Sequence, residues 1–287
     1  MSGAWRWLRE HAVNIVAALV IVYMLIPIAV IFVFSFNDPA GKYNFTWVGF
    51  TLQHWGNAFS LPELNSALLT SLELALLATL VSTAIGTVMA VALVRHQFHG
   101  RRAANLLIVV PMATPEIVMG ASLLSFFLIL GAPQLGFQTL LIAHVMFCIS
   151  FVVVVVRSRL IGFDRNLEEA ARDLGASPLQ TFRLVTLPLI MPGILGAGLL
   201  AFALSIDDFV ISNFNSGTTV TFPLYIYGAA QRGIPVEVNV IAMIIFGVTV
   251  LAMGLTVLQQ RRAEKMASVR PEQESAPPVG LGAAGAA

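Results

Sequence analysis

The stretch Arg157–Pro188, RSRLIGFDRNLEEAARDLGASPLQTFRLVTLP, is the one long charged segment in this chain, and it lies between two strongly apolar ones. Its capping signals predict two short helices. Asn166 can cap the first, with Glu169 three positions on to reach back to the cap's N–H, and Gly175 supplies a left-handed residue to end it. Ser177 caps the second, with Pro178 at its first position and Gln180 completing a capping box. A helix–turn–helix elbow about Gly175 follows. Leu167, Ala170, Ala171 and Leu174 form an apolar stripe on the first helix, with Glu168, Glu169, Arg172 and Asp173 around it. Such a stripe needs a cover, either this chain's own membrane helices or a docked partner.

On either side of the elbow the composition belongs in lipid. Of 287 residues, 57% are hydrophobic and 11% charged, which excludes an ordinary soluble domain. After a basic, aromatic start (MSGAWRWLRE), apolar runs of about 20 residues or more fall near Ala12–Phe36, Ser66–Val94, Ala103–Leu130, Gln138–Val156, Pro188–Ile211 and Val238–Leu258. The fold class expected is all-α, a polytopic membrane protein with six transmembrane helices. Residues 1–258 form the membrane domain, which includes the loop 157–187, and 259–287 form a largely disordered tail rich in Pro, Gly, Ala and Ser. The outer segment 37–64 reads as a polar, aromatic loop with room for a short surface helix. The first run is longer than a signal-peptide core and lacks a small-residue cleavage site, so it reads as an uncleaved span.

Placing the N-terminus in the cytoplasm puts every Lys and Arg except Lys42 and Arg232 on that side. This satisfies the positive-inside rule and sets both termini and the elbow in the cytoplasm.

Carboxylates within the spans carry functional weight, because one at a helix centre costs roughly 2.5–3.5 kcal/mol on insertion scales. Glu73, Glu116, Asp207 and Asp208 qualify. Glu73 lies near enough to the outer end of its span to reach the interface. Glu116 follows Pro111 and Pro115, which remove two helix donors, kink the third span and free carbonyls near Leu107 and Pro111. A broken helix beside a carboxylate suggests a water-lined cavity, although a structural kink with a paired Glu116 accounts for the same residues. Asp207 and Asp208 stand near the outer end of the fifth span and would draw cations. Adjacent helical residues point about 100° apart, so at most one of the two faces a path directly. Among the aromatic residues that follow, Tyr225 and Tyr227 offer cation–π faces, or serve as belt or core residues.

Other chemistry has little support. Cys148 is the single cysteine, and His144 lies on the same helical face, but two residues make a poor metal site and packing against a neighbouring helix accounts for both. The phosphate-binding pattern GxxxxGK[ST] is absent, as are HExxH and GxSxG. No catalytic residue, metal or cofactor is expected, and any ATP must be hydrolysed by another subunit.

Glu169-Ala170-Ala171, Gly175 three residues on, Val185 after nine more, and Leu187-Pro188 resemble the EAA loop of importer-type ABC transporter permeases. Only Val185 departs, conservatively, from that family's isoleucine. TPEIVMGASLL (Thr114–Leu124), QLGF (Gln134–Phe137), HVMFCISFVVVVVRSRLIGFD (His144–Asp164), LSIDDFVISNF (Leu204–Phe214) and PVEVN (Pro235–Asn239) are similar to the spermidine/putrescine importer permeases of the PotC/PotI type. The resemblance covers nearly all six spans and fails at the tail.

It implies a type I ABC importer permease fold in the bacterial inner membrane, importing polyamines by alternating access. It also implies a heterodimer with a homologous second permease, a cytoplasmic ATP-binding subunit dimer and an extracytoplasmic polyamine-binding protein, with no nucleic acid involved. Glu169, Ala170, Ala171, Gly175, Leu187 and Pro188 would couple to the ATPase, and Glu116, Asp207, Asp208, Tyr225 and Tyr227 would line the substrate path. An importer of the same kind for another solute (ferric iron, thiamine or another amine) and an ion-coupled carrier acting alone are the competing readings.

Overall fold

The computed structural model describes residues 3–131, 134–162 and 164–269. In chain order the helices are α1 (Gly3–Phe34), α2 (Gln53–Gly56), α3 (Pro62–Arg95), α4 (Arg101–Ala113), α5 (Glu116–Ile129), α6 (Phe137–Ile161), α7 (Asn166–Asp173), α8 (Pro178–Thr181), α9 (Leu187–Ile206), α10 (Val210–Asn215), α11 (Phe222–Arg232) and α12 (Val236–Val269), with a π turn over Phe182–Thr186 between α8 and α9. Among the described residues five helices are long and apolar enough to cross a membrane, and α4 with α5 make a sixth span if that bent pair is counted as one. The described chain has no strand, only an isolated antiparallel bridge between Asn37 and Phe50.

The chain divides into two compact units, Met1–Ala58 with Val236–Ala287 and Phe59–Pro235. In the first, α1 and α2 both pack against α12. The apolar stretch of α1 buries none of its residues within the chain, as suits a helix whose solvent is lipid. The loop after α1 is built on Asn37, which is fully buried. Its Nδ2 donates to Asn44 Oδ1 at 2.6 Å and to the Thr46 carbonyl at 2.7 Å, while its Oδ1 accepts from the Val48 N–H at 2.7 Å. Asn44 Nδ2 in turn donates to the Phe34 carbonyl at 2.8 Å, satisfying one of the acceptors that the end of α1 leaves open. His54 of α2 meets Glu237 of α12, Nδ1 to Oε1, at 3.1 Å. The helix α12 continues to Val269, past the expected boundary at Leu258; residues 270–287, the rest of the expected disordered tail, lie outside the described residues.

The second unit is organised by α3, α6 and α9, which pack pairwise against one another. Ala90 and Leu93 of α3 share one buried cluster with Val152, Val153 and Val156 of α6 and Ile190, Ala197 and Ala201 of α9. Small residues let these backbones approach closely, which is how membrane helices gain contact without a hydrophobic driving force. Gly86 marks a close approach of α3 to α6: a Cβ there would lie 2.6 Å from Val152 Cγ1.

The third span is broken rather than kinked, because α4 and α5 meet at 111°. Of the two prolines, Pro115 makes the break and Pro111 stays inside α4. A residue before proline is pushed out of the helical region, and Thr114 accordingly adopts φ −80°, ψ 132°. Its N–H and Oγ1 both turn back to the Val110 carbonyl, at 2.9 and 2.6 Å.

The fifth span also differs from expectation. It starts at Pro178 and ends at Ile206, so the elbow's second helix is the foot of this span and not a separate helix, and Ile211 belongs to α10. The π turn lies directly before Leu187-Pro188, where the Leu187 N–H reaches five residues back to the Phe182 carbonyl. Widening the helix here moves aside the carbonyl that the ring of Pro188 would otherwise strike.

In the elbow, Asn166 is the first helical residue and not the cap; Asp164 Oδ1 accepts its N–H at 3.0 Å, so the box with Glu169 does not form. Gly175, at φ +87°, ends α7 in a Schellman turn: its N–H bonds the Arg172 carbonyl and that of Ala176 the Ala171 carbonyl, at 2.9 and 3.0 Å. The box at Ser177 and Gln180 forms as expected, with bonds of 2.8 and 3.4 Å.

Candidate functional site

Two regions of the second unit bring polar groups together. The first is centred on α10, a short helix wedged against α5 and α6. Asp208 is buried, and its carboxylate accepts the Ile211 N–H at 3.3 Å and the Ser212 N–H at 2.8 Å, capping the first turn of α10. His144 comes up from α6, one side chain serving three neighbours. Its Nδ1 lies 2.8 Å from Ser205 Oγ, at the end of α9, and its Nε2 lies 3.0 Å from Ser212 Oγ and 3.5 Å from Asp208 Oδ2. A serine hydroxyl both donates and accepts, so either ring tautomer is satisfied. Cys148 Sγ lies 3.5 Å from the Ala201 carbonyl, so His144 and Cys148 both pack against the helix after Leu187. At the far end of α10, Asn215 Nδ2 donates to the Gly120 carbonyl at 3.2 Å, and Thr139 Oγ1 donates to the Asn215 carbonyl at 2.8 Å.

The five residues expected along a path fall into different settings. Asp207 is exposed while its neighbour Asp208 is turned inward; both lie in the turn between α9 and α10 and not on the helix expected for them. Tyr227 is half-exposed, and its ring centroid lies 4.6 Å from that of Phe209, the residue after Asp208; aromatic surface therefore adjoins the Asp pair. Tyr225 is partly buried in the same helix. Glu116 is exposed at the first position of α5, where the helix dipole favours a carboxylate. It stands one turn before Gly120, whose Cβ position lies 2.8 Å from the Phe214 ring of α10.

The second region is the elbow. No residue of α7 is buried, and Leu167 and Leu174 are exposed, Leu174 at 90%. The apolar stripe is therefore not covered by this chain's own helices. Glu169 and Ala170 are exposed, Ala171 and Leu187 partly buried, and Pro188 exposed. A cavity of about 440 Å³ opens between the elbow and the end of α3, lined in part by Arg95, Arg165, Glu168, Glu169, Arg172 and Thr186.

Two functional groupings escaped the sequence reading. His144 was legible as a packing residue, but its three partners are 61 to 68 positions away in the chain, and nothing local points to them. An aspartate four residues before Ser212 at the start of a short apolar turn was a capping signal that could have placed Asp208. Glu168, which adjoins the EAA pattern without belonging to it, pairs with Arg95 at 2.7 Å, a residue 73 positions earlier.

Residues 82–265 match the family described as the binding-protein-dependent transport system inner membrane component. Among curated proteins, the chain is 39% identical over 239 residues to the spermidine/putrescine transport system permease protein PotC of Haemophilus influenzae, covering 83% of this chain and 91% of that one. It is 37% identical over 250 residues to the putrescine transport system permease protein PotI of Escherichia coli K12, covering 85% and 88%. Among solved structures it resembles a chain of a bacterial ABC transporter that imports the acidic polysaccharide alginate, with a TM-score of 0.62, 19% identity, and 91% and 98% coverage. That likeness speaks to the fold alone, and it is the fold the EAA spacing implied. This chain therefore belongs to the family of binding-protein-dependent transport system inner membrane components, as an ABC transporter permease of the PotC/PotI kind.

Proposed function

We propose that this chain is a permease subunit of an ATP-driven importer of polyamines, putrescine or spermidine. The identity of nearly two residues in five to PotC, over four fifths of the chain, carries this reading. The chemistry of the site supports it. A polyamine is a row of ammonium charges on methylene spacers, and exposed carboxylates beside aromatic surface suit it as transient partners. Asp207, Glu116, Tyr225 and Tyr227 line the path, with Asp208 holding the turn beside Asp207. The bias of Lys and Arg supports a cytoplasmic side for both termini and the elbow. There the exposed leucines of the elbow, with Glu169, Ala170, Ala171 and Gly175, meet one subunit of an ATPase dimer. A homologous second permease completes the membrane part, and an extracytoplasmic binding protein delivers the substrate.

The test is to co-express the chain with its genomic neighbours, reconstitute the complex in liposomes and measure uptake of putrescine, spermidine and a panel of other solutes. Polyamine uptake that needs both ATP and the binding protein is the expected result. ATP-dependent uptake of another solute overturns the substrate, and uptake driven by an ion gradient without ATP overturns the importer itself. In the same assay Asp207→Asn, which keeps the size and removes the charge, is expected to lower uptake about tenfold with the complex assembled; wild-type uptake removes Asp207 from the path.

Gly175→Val probes the elbow. Nothing lies within 4 Å of the Cβ position, so only the backbone resists, and a side chain at φ +87° costs roughly 1–2 kcal/mol. The expected outcome is weakened co-purification of the ATPase with the membrane subunits intact. Full recovery of the ATPase at wild-type uptake would count against the docking role.

A further inference from the structure

Because α7 buries none of its residues, packing contributes little to its position, and polar ties decide where it sits. One carboxylate oxygen makes two of them. Glu168 Oε1 lies 2.7 Å from Arg95 Nη2 and accepts from Thr186 Oγ1 at 2.6 Å. Arg95 is the last residue of α3, and Thr186 closes the π turn immediately before α9. A weaker third tie, Arg165 Nη2 to the Val94 carbonyl at 3.4 Å, runs to the same end of α3. Glu168 Oε1 thus ties α7 both to the end of α3 and to the turn from which α9 rises.

This clamp is not a loose surface pair. The side chains of Arg95 and Glu168 are only 14% and 12% exposed, and Thr186 is buried. Charged partners withdrawn from water interact more strongly than exposed ones and leave a costly remainder if one is removed. The contact also falls on a π turn, where a helix departs from its regular register and which is frequently a functional point. The leucines of the elbow point outward to any docked partner while Glu168 points inward, so docking and transmission reside on different residues of the same helix.

We infer that Glu168, through Arg95 and Thr186, transmits movement of the elbow to α3 and α9, and is a positioning residue that couples ATP hydrolysis to transport. This rests on the importer reading above. It assigns no contact with the ATPase to Glu168 itself.

The experiment uses the complete complex in liposomes and reads three quantities: solute moved per ATP hydrolysed, the rate of hydrolysis, and recovery of the ATPase with the membrane subunits. In Glu168→Ala the ATPase is expected to remain bound and to hydrolyse ATP, while solute moved per ATP falls about tenfold. Thr186→Val is expected to lower the ratio about twofold to threefold. The double variant should be no worse than Glu168→Ala alone, since both act through one oxygen. A wild-type ratio in Glu168→Ala, independent losses that multiply in the double variant, or loss of the ATPase from the complex each overturns the transmission role, the last in favour of docking. Should Glu168→Ala fail to accumulate, Thr186→Val and Glu168→Gln decide, and wild-type ratios in both overturn it. Failure of the importer reading shows separately, as a wild-type complex whose uptake ignores ATP; uptake of a different solute leaves the ratio measurable with that solute.

Discussion

Asp208→Ala is expected to abolish polyamine uptake, lowering it about a hundredfold, and to reduce the melting temperature of the assembled complex by several degrees. The carboxylate accepts two backbone N–H groups in the first turn of α10, both at buried residues. Loss of a cap costs about 0.5–2 kcal/mol, and each buried donor left without an acceptor costs about 1–3 kcal/mol. The combined effect is on the order of 3 kcal/mol, concentrated on a helix of six residues that has little else in its own backbone to hold it. The turn 207–209, which presents Asp207 and the Phe209–Tyr227 aromatic pair, then loses its fixed position. Asp208→Asn keeps an oxygen for one of the two N–H groups and should recover most of the melting temperature. Recovery of uptake with it assigns Asp208 to capping alone, whereas recovery of stability without uptake shows that its charge is needed as well. Unchanged melting and uptake in the alanine variant would exclude both roles.

Gly86→Leu has the other large expected effect, and acts on the core instead of the path. A Cβ at this position would lie 2.6 and 2.9 Å from Cγ1 and Cβ of Val152 and 3.4 Å from the Ile149 carbonyl. Val152 is fully buried on α6, and its branched side chain is stiff at χ1. The two helices must separate, and overpacking of this kind costs about 3 kcal/mol. A reduced yield of the membrane subunit and a lower melting temperature by thermal shift are expected, with Gly86→Ala intermediate. A wild-type melting temperature for Gly86→Leu would mean that α3 and α6 do not approach as closely as described.

Much of this protein was legible in its residues because the governing interactions are local or follow from composition. Long apolar runs require a lipid solvent and, with every backbone group needing an internal partner, helices. The left-handed Gly175 and the box at Ser177 and Gln180 involve residues at most five apart, so each was readable directly from the elbow. The EAA spacing and the segments around Thr114 and Leu204 carried the family with them. Tertiary structure decided what proximity along the chain does not encode. Two prolines four apart offered equivalent breaking points, and the chain broke at Pro115 while keeping Pro111 inside a helix. The apolar run through Ile211 concealed a stop at Ile206, because lipid-compatible residues continue on both sides of the turn. Of two adjacent aspartates, only the spacing of Asp208 to Ser212 hinted at a difference, and α6 then brought His144 to Asp208. Likewise, two adjacent glutamates parted company when the end of α3 placed Arg95 beside Glu168 and left Glu169 exposed. For both carboxylate pairs the deciding partner lies more than sixty positions away, and a carboxylate's role is set by which charges and donors folding places within a few ångströms of it.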